Sequence, residues 1–342
     1  MRCPTLSKLP SPPPDKRGWP WTEESPQLTE KMPDGSPWPK ISIVTPSLNQ
    51  DQFIEETIRS VLLQGYPDLE YIIVDGGSSD DSVEIIKKYA QWLAFWVSEP
   101  DKGQSHAINK GFAHARGQVY AYLNSDDVYQ PGALNTIAPV FSLEDRTELV
   151  AGSCTFYEDR GQEEMCVATW PESMNYFLGP LALAFAQPAA FWNRELFQRV
   201  GGFDERLNFC FDREFFLRVG LSGINPRILP NGLAKYRVHQ GTKFKTQLTK
   251  FYDESIQIVK KHGQSLGLTD REEKVKIGEI IRERSYVEIF VAWKKTGRFS
   301  AITKLAKMIS CSPRTLLERR VLGLARRLLT YAQSEVMELK KF

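Results

Sequence analysis

The sequence predicts an α/β fold in which a mainly parallel central sheet is flanked by helices, with a Pro-rich arm before it and a helical extension after it. Three observations predict this. From Lys40 onward, short apolar runs alternate with helical stretches, the pattern of successive βαβ units. The loops after those runs are polar and rich in acids, as expected where ligands meet the carboxyl ends of parallel strands. The 342 residues, 42% hydrophobic and 25% charged, can bury one large α/β domain plus appendages or two ordinary domains.

Each element follows in order. Prolines crowd residues 1–39, among them Pro10, Pro12, Pro13, Pro14, Pro20 and Pro26, which excludes regular helix and central strand. Trp19, Trp21 and Trp38 are unusual in a linker, so the arm either lies across a domain surface or is a disordered leader. Strands are predicted at 41–45, 71–74, 95–98 and 119–123, with helices at 53–64, 82–89 and 105–115 between them. Ser82 can cap its helix, Pro131 can open the helix after the fourth strand, and Gly65 and Gly117 can stop helices. Residues 150–238 are less regular, with helices at 194–200 and 213–219 around a turn at Gly201 and Gly202.

The most apolar stretch, 177–192, falls short of the roughly 20 residues that span a bilayer and is broken by Pro180 and Pro188; it reads as buried strand or loop. Beyond Thr246 the chain turns helical and charged, and residues 301–342 hold nine Lys or Arg against three Glu. Residues 313–331, which start at Pro313 and end at Tyr331, read as an amphipathic basic helix. Such a helix suits anionic lipid, as a peripheral membrane contact, or a protein partner, or packing on its own domain.

The formal net charge of +2 gives no global pull toward nucleic acid, and no nucleic-acid partner is expected. The five cysteines, Cys3, Cys154, Cys166, Cys210 and Cys311, are scattered and contain no C-x-x-C pair. That argues against a disulfide framework or a zinc site and for a reducing cytoplasm. Residues 1–14 lack the apolar core of a secretory signal.

The acids after the strands carry the chemistry. Asp126 and Asp127 follow the apolar run 119–123 at a sheet edge that water and ligand can reach. Mg²⁺ is commonly held by one or two carboxylates with phosphates and waters completing its shell, and Mn²⁺ accepts the same donors. The alternative is an Asx-rich turn capping the helix near Pro131. Asp75, ahead of Gly76 and Gly77, is placed either to recognise a nucleoside or simply to make a turn. The loop at 45–50 has no glycine, so the dinucleotide fingerprint is missing and a diphosphate must be neutralised by other means, such as a metal.

In register, ISIVTPSLNQ (41–50), IVDGGSSD (73–80), SEPDKGQSHAINKG (98–111) and LNSDD (123–127) resemble the family 2 glycosyltransferases of GT-A fold. The likeness extends through QPA (187–189), GGFDE (201–205) and FDREFFLR (211–218), and so covers about residues 40–240. It implies a single GT-A-like domain over 40–246, with a nucleotide-sugar half (40–130) and an acceptor half (131–246). The arm (1–39) precedes it and the helical, basic extension (247–342) follows. It further implies metal-dependent, inverting transfer from a nucleoside-diphosphate sugar, a UDP-sugar being favoured, to a hydroxyl of a saccharide or lipid-linked glycan. The expected location is the cytoplasm or the inner face of the membrane.

The resemblance also implies roles. Pro46, Asn49 and Asp75 contact the nucleoside, and Asp101, Gln104 and Asn109 lie beside the ribose and diphosphate. Asn124 stands where the family often has Asp, a departure that weakens a ribose contact. Asp126 and Asp127 match the metal-binding acids, and His239, in YRVHQGTK (236–243), can complete the site for Mg²⁺ or Mn²⁺. Asp212 matches the catalytic base, with helix N-cap as the alternative and Glu214 in reserve. The competing reading is a glycosyltransferase-like domain that binds nucleotide or glycan with little or no turnover, for which Asn124 is the hint. A nicotinamide oxidoreductase is disfavoured by the glycine-free first loop. An aspartyl-phosphate phosphatase is disfavoured because the first strand ends in no acid.

Overall fold

Apolar runs flanked by helical stretches fold as strands covered on both faces, the arrangement that parallel sheets require. The computed structural model describes residues 1–142, 147–158 and 161–311. Strands β1 (Ile41–Ser47), β2 (Leu69–Asp75), β3 (Phe95–Ser98) and β4 (Val119–Tyr122) lie in the order β3-β2-β1-β4, all parallel. Helices α1 (Ile54–Leu62), α2 (Ser82–Tyr89) and α3 (Gln104–His114) connect them, close to the predicted ranges. Pairing extends β1 and β2 past their apolar runs, with Ser47 opposite Asp75 and Asp75 opposite Ser98. This register sets three loop mouths side by side.

Two predicted caps take other roles. Asp81 is the N-cap of α2, while the Ser82 hydroxyl accepts a hydrogen bond from the Gln50 N–H at 2.9 Å and so ties the first loop to the second. Pro131 lies in the turn ahead of helix α4 (Ala133–Ser142) rather than at its first position. After β5 (Val128–Tyr129), the stretch that reads as irregular holds most of the remaining sheet: β6 (Leu149–Glu158), β7 (Glu163–Cys166), β8 (Ala190–Asn193) and β9 (Arg227–Val238). The sheet runs on from β4 through β8, β6 and β9 to β5, with β7 on β6. β4 with β8, β6 with β8, β6 with β7 and β5 with β9 are antiparallel, whereas β6 and β9 run parallel over the longest register of the sheet. Helices α5 (Arg194–Val200) and α6 (Phe211–Leu221) complete this half. Asn193 caps α5 by accepting from the Leu196 N–H at 2.7 Å.

The arm is ordered and belongs to the same compact unit, which comprises Met1–Phe177 and Ala182–Thr242. Arg59, fully buried on α1, donates to the carbonyls of Pro10, Pro20 and Trp21 and to the Tyr89 hydroxyl, so the proline-rich backbone satisfies its guanidinium. Trp19 Nε1 donates to the Tyr129 carbonyl at 2.7 Å, and Trp38 packs edge-on against Tyr66.

A second unit comprises Leu178–Leu181 and the chain from Lys243. Its described helices are α7 (Lys243–Thr246), α8 (Leu248–His262), α9 (Asp270–Thr296) and α10 (Arg298–Cys311). Thr269 and Glu272 form a capping box at the start of α9. Ile289 and Trp293 of α9 pack with Ala301 and Leu305 of α10. No helix among the described residues is long and apolar enough to cross a membrane. The basic segment 313–331 lies outside the described residues.

Candidate active site

The loops at the carboxyl ends of β1 and β2 are laced together by short polar side chains. Asn49 takes a positive φ of 53°, a conformation Asn tolerates better than most residues. From there its Oδ1 accepts from the Ser79 N–H at 2.9 Å, while its own N–H donates to Ser78 Oγ at 2.8 Å. Pro46 is buried in β1. Asp75 is also fully buried, and its carboxylate accepts from the N–H groups of Gly77 and Ser78 and from the hydroxyls of Ser78 and Ser98. Three of these bonds fall on Oδ2 and one, from Ser78 Oγ, on Oδ1, so Asp75 folds its own turn and ties β3 to it. Beside it, Ser47 Oγ is buried with no hydrogen-bond partner.

The third loop closes over the second. Asp101 Oδ1 accepts from the Gly103 N–H at 2.7 Å, and its Oδ2 lies 2.7 Å from where a Cβ on Gly76 would stand. A side chain at position 76 would require the Asp101 carboxylate to shift. Gln104 Nε2 donates to Asn124 Oδ1 at 2.6 Å, and Asn124 Nδ2 donates to Asp127 Oδ2 at 3.1 Å, so an amide relay joins α3 to the acidic turn. Asn109 is turned elsewhere: it exchanges two hydrogen bonds with the backbone of Phe203, at 2.8 and 2.9 Å, and clasps the 201–205 loop.

The acidic turn separates its two carboxylates by environment. Asp127 is buried, with Oδ1 accepting from the Arg237 backbone N–H at 3.1 Å. Burial, then the neighbouring Asp126, holds its carboxyl well above the usual carboxylate range. Asp126 is half-buried; its Oδ2 lies 3.1 Å from His239 Nε2, and its Oδ1 makes no hydrogen bond among the described residues. The bonds of Asn124, Asp126 and Asp127 therefore run to α3, His239 and β9, and the turn does not serve as a cap for α4.

Arg237 supports this turn and stands out only in three dimensions. Its Nε donates to the Asp126 carbonyl at 3.2 Å and its Nη2 to Glu56 at 2.8 Å. Its guanidinium lies between the rings of Phe53 and Tyr157, 4.9 and 4.8 Å from their centroids. Phe53 also packs on the His239 ring.

The donor set bears on the expected Mg²⁺ or Mn²⁺. Among the described residues, no three His, Cys, Asp or Glu side chains converge on one metal position. The open carboxylate of Asp126 with His239 fits a cation whose remaining ligands are phosphate oxygens and water. The Asp127 oxygens are turned to Arg237 and Asn124 instead. His239 Nδ1 faces the Gly241 N–H at 3.2 Å, which puts the proton of the neutral ring on Nε2. Ligation through Nε2 requires that proton to leave or move to Nδ1.

Asp212 occupies the first turn of α6, whose N-cap is Cys210. The N-cap alternative for Asp212 is thereby excluded. Asp212 lines a small cleft, partly open to solvent, with Phe177, Phe185, Gln187 and Phe216 among its walls. Gln187 donates from Nε2 to the Tyr122 carbonyl at 2.7 Å. Glu214, the reserve base, is fully buried and paired with Arg218 at 2.9 Å, which removes it from that role. Burial, then the charges of Asp127, Asp126 and Asp212, push the hydroxyl of Tyr236 on β9 well up from its ordinary value.

Comparisons with known proteins give the family and the fold. A model of the family described as glycosyl transferase family 2 matches residues 42–201. An uncharacterized glycosyltransferase of Mycobacterium tuberculosis is 32% identical over 187 residues, covering 54% of this chain and 70% of that protein. The putative teichuronic acid biosynthesis glycosyltransferase TuaG of Bacillus subtilis is 36% identical over 99 residues, 28% of this chain and 39% of its own. Among solved structures, S. aureus TarS in complex with UDP-GlcNAc matches with a TM-score of 0.53 at 16% identity, covering 83% of each chain. A mannosyltransferase from Pyrobaculum calidifontis in complex with GDP-Man and Mn²⁺ matches at 0.52 and 16% identity, covering 92% of this chain and 91% of that one. At these identities the two structures share the fold.

Proposed function

This chain belongs to glycosyl transferase family 2, an enzyme family that transfers sugar from a nucleotide sugar, and on that premise we propose a metal-dependent, inverting reaction on a saccharide or lipid-linked glycan hydroxyl. The observation that carries the proposal is the pairing of an open carboxylate, Asp126, with His239 Nε2 beyond the end of β4; Asp212 lines a separate cleft at the start of α6. Complexes of fold relatives with UDP-GlcNAc and with GDP-Man and Mn²⁺ support a nucleoside diphosphate donor and a divalent cation.

In this reading Asp126 and His239 hold Mg²⁺ or Mn²⁺, which when bound neutralises charge developing on the departing nucleoside diphosphate. Asp127 stays in the amide relay and keeps Asn124 and Gln104 oriented toward the donor. The laced loops carrying Asn49, Asp75 and Asp101 wall the nucleoside side, and the unpartnered Ser47 Oγ is available to it. Asp212 takes the proton of the acceptor hydroxyl as that oxygen bonds to the anomeric carbon from the face opposite the leaving group. Asn109 has a positioning role through the Phe203 loop.

Isothermal titration of UDP, GDP and dTDP, each with and without Mn²⁺, tests the reading, followed by a hydrolysis screen across common nucleotide-sugars. Metal-enhanced binding of one nucleotide and slow hydrolysis of its sugar derivative are expected. If no nucleotide binds, or if binding ignores the metal, the metal-dependent reaction is ruled out.

A further inference from the structure

We propose that the corner between α9 and α10 is a peripheral docking surface for anionic lipid, with Phe299 as its apolar anchor. Helix geometry accounts for the placement. At about 100° per residue, Ala301 and Leu305 face α9, where they are buried with Ile289 and Trp293. The opposite face of α10 then carries Phe299, Thr303, Ala306, Lys307 and Ser310, all exposed. Phe299 is 87% exposed, the highest figure among the exposed large hydrophobic residues described. Phe299 takes no part in the apolar cluster that α9 and α10 form among the described residues.

Charge identifies the partner. Residues 289–311 contain five Lys or Arg and no Asp or Glu, whereas the preceding part of α9 alternates acids with bases. Lys294 and Lys295 are exposed in the last turn of α9, and Gly297, with a φ of 90°, makes the corner that brings Phe299 into sequence with them. An aromatic anchor with adjacent ammonium groups meets an interface that is apolar beneath and negatively charged above. One weak anchor gives marginal binding, and adding a basic patch makes it stable. A hydrophobic protein groove would satisfy Phe299 but would not select for a segment cleared of acids.

The full chain should co-sediment with vesicles of phosphatidylcholine containing 30% phosphatidylglycerol, and much less with phosphatidylcholine alone. Lys294→Gln/Lys295→Gln should weaken binding to the anionic vesicles about 25-fold, from about fivefold per positive charge. Phe299→Ser should weaken it about tenfold. Raising salt from 50 to 500 mM should remove most of the charge-dependent part. All three positions are exposed, so circular dichroism and thermal unfolding should match the wild type. Equal binding to both vesicle types, no binding to either, or wild-type binding by both variants overturns the proposal; the last result would assign the affinity to other segments. If Phe299→Ser instead converts a dimer to a monomer in analytical ultracentrifugation without changing vesicle binding, the surface is a self-association face and the proposal is likewise overturned.

Discussion

Arg237→Lys tests whether the acidic turn is built from β9. Lysine keeps the positive charge and leaves the backbone N–H that bonds Asp127, so the Asp127 side of the turn is unperturbed. What it loses is the planar fork: the Nε–H bond to the Asp126 carbonyl at 3.2 Å and the stacked position between Phe53 and Tyr157. A hydrogen bond from a charged donor contributes about 1.5 kcal/mol or more, and each cation–π contact about 0.5–1 kcal/mol. Because the Nζ of lysine can still reach Glu56, the ion pair is weakened rather than lost, and the net destabilisation should be about 2.5–3.5 kcal/mol. Urea unfolding monitored by fluorescence measures that. Residues behind a metal ligand typically change metal affinity about 10- to 100-fold. Titration should therefore show Mn²⁺-dependent nucleotide binding falling about tenfold while metal-independent binding is unchanged. A variant that is less stable by this amount but keeps wild-type Mn²⁺ dependence would refute the link between Arg237 and the metal-facing carboxylate.

Asp212→Asn should leave nucleotide binding within about twofold and lower turnover by about 10² to 10⁴; a fully active variant removes Asp212 as the base. The raised Asp127 carboxyl makes a pH prediction for the metal-free protein. Its folded pKa lies above its unfolded value of about 4, so the folded chain binds the extra proton, and stability falls as pH rises from there toward the raised value. Asp127→Asn lacks that loss, so its thermal midpoint relative to wild type should climb between pH 4 and 8; a constant difference contradicts the assignment. At Gly65, φ is +65° and an added Cβ would collide with the Pro26 carbonyl of the arm. Gly65→Ala should destabilise the chain by about 2 kcal/mol or more and speed proteolysis within residues 1–39; unchanged proteolysis would show that the arm docks independently of that turn.

The first half of the fold was legible because β1, β2 and β4 are buried on both faces and so appear as unbroken apolar runs between helices. β9 could not be read the same way. It contains Pro230, Asn231 and Gly232, and it pairs with β6 across register shifts at Ala151, Ser153 and Cys154, where Gly152 leaves room for Leu233. A bulged strand loses the period-two signal, and its place is decided by a partner some 80 residues earlier in the chain. The arm illustrates a different obscurity. Its tryptophans marked it as unusual, but the acceptors of Arg59 are backbone carbonyls, which every sequence supplies equally.

In the candidate site, residue identity was readable and orientation was not. Asp126 and Asp127 are adjacent carboxylates with the same local sequence signal, yet one is half-buried beside His239 and the other buried under Arg237. That division depends on β9 crossing the turn about 110 residues later. Asn109 sits in a motif with donor-side residues but faces the opposite way from Gln104, because five positions on a helix amount to about 500°, or 140° around the axis. Asn124 gains meaning from the same geometry. An aspartate there would place a third carboxylate against Asp127, whereas the amide accepts from Gln104 and donates to Asp127 at once. The residue that departs from the family pattern thus holds a buried acid in place.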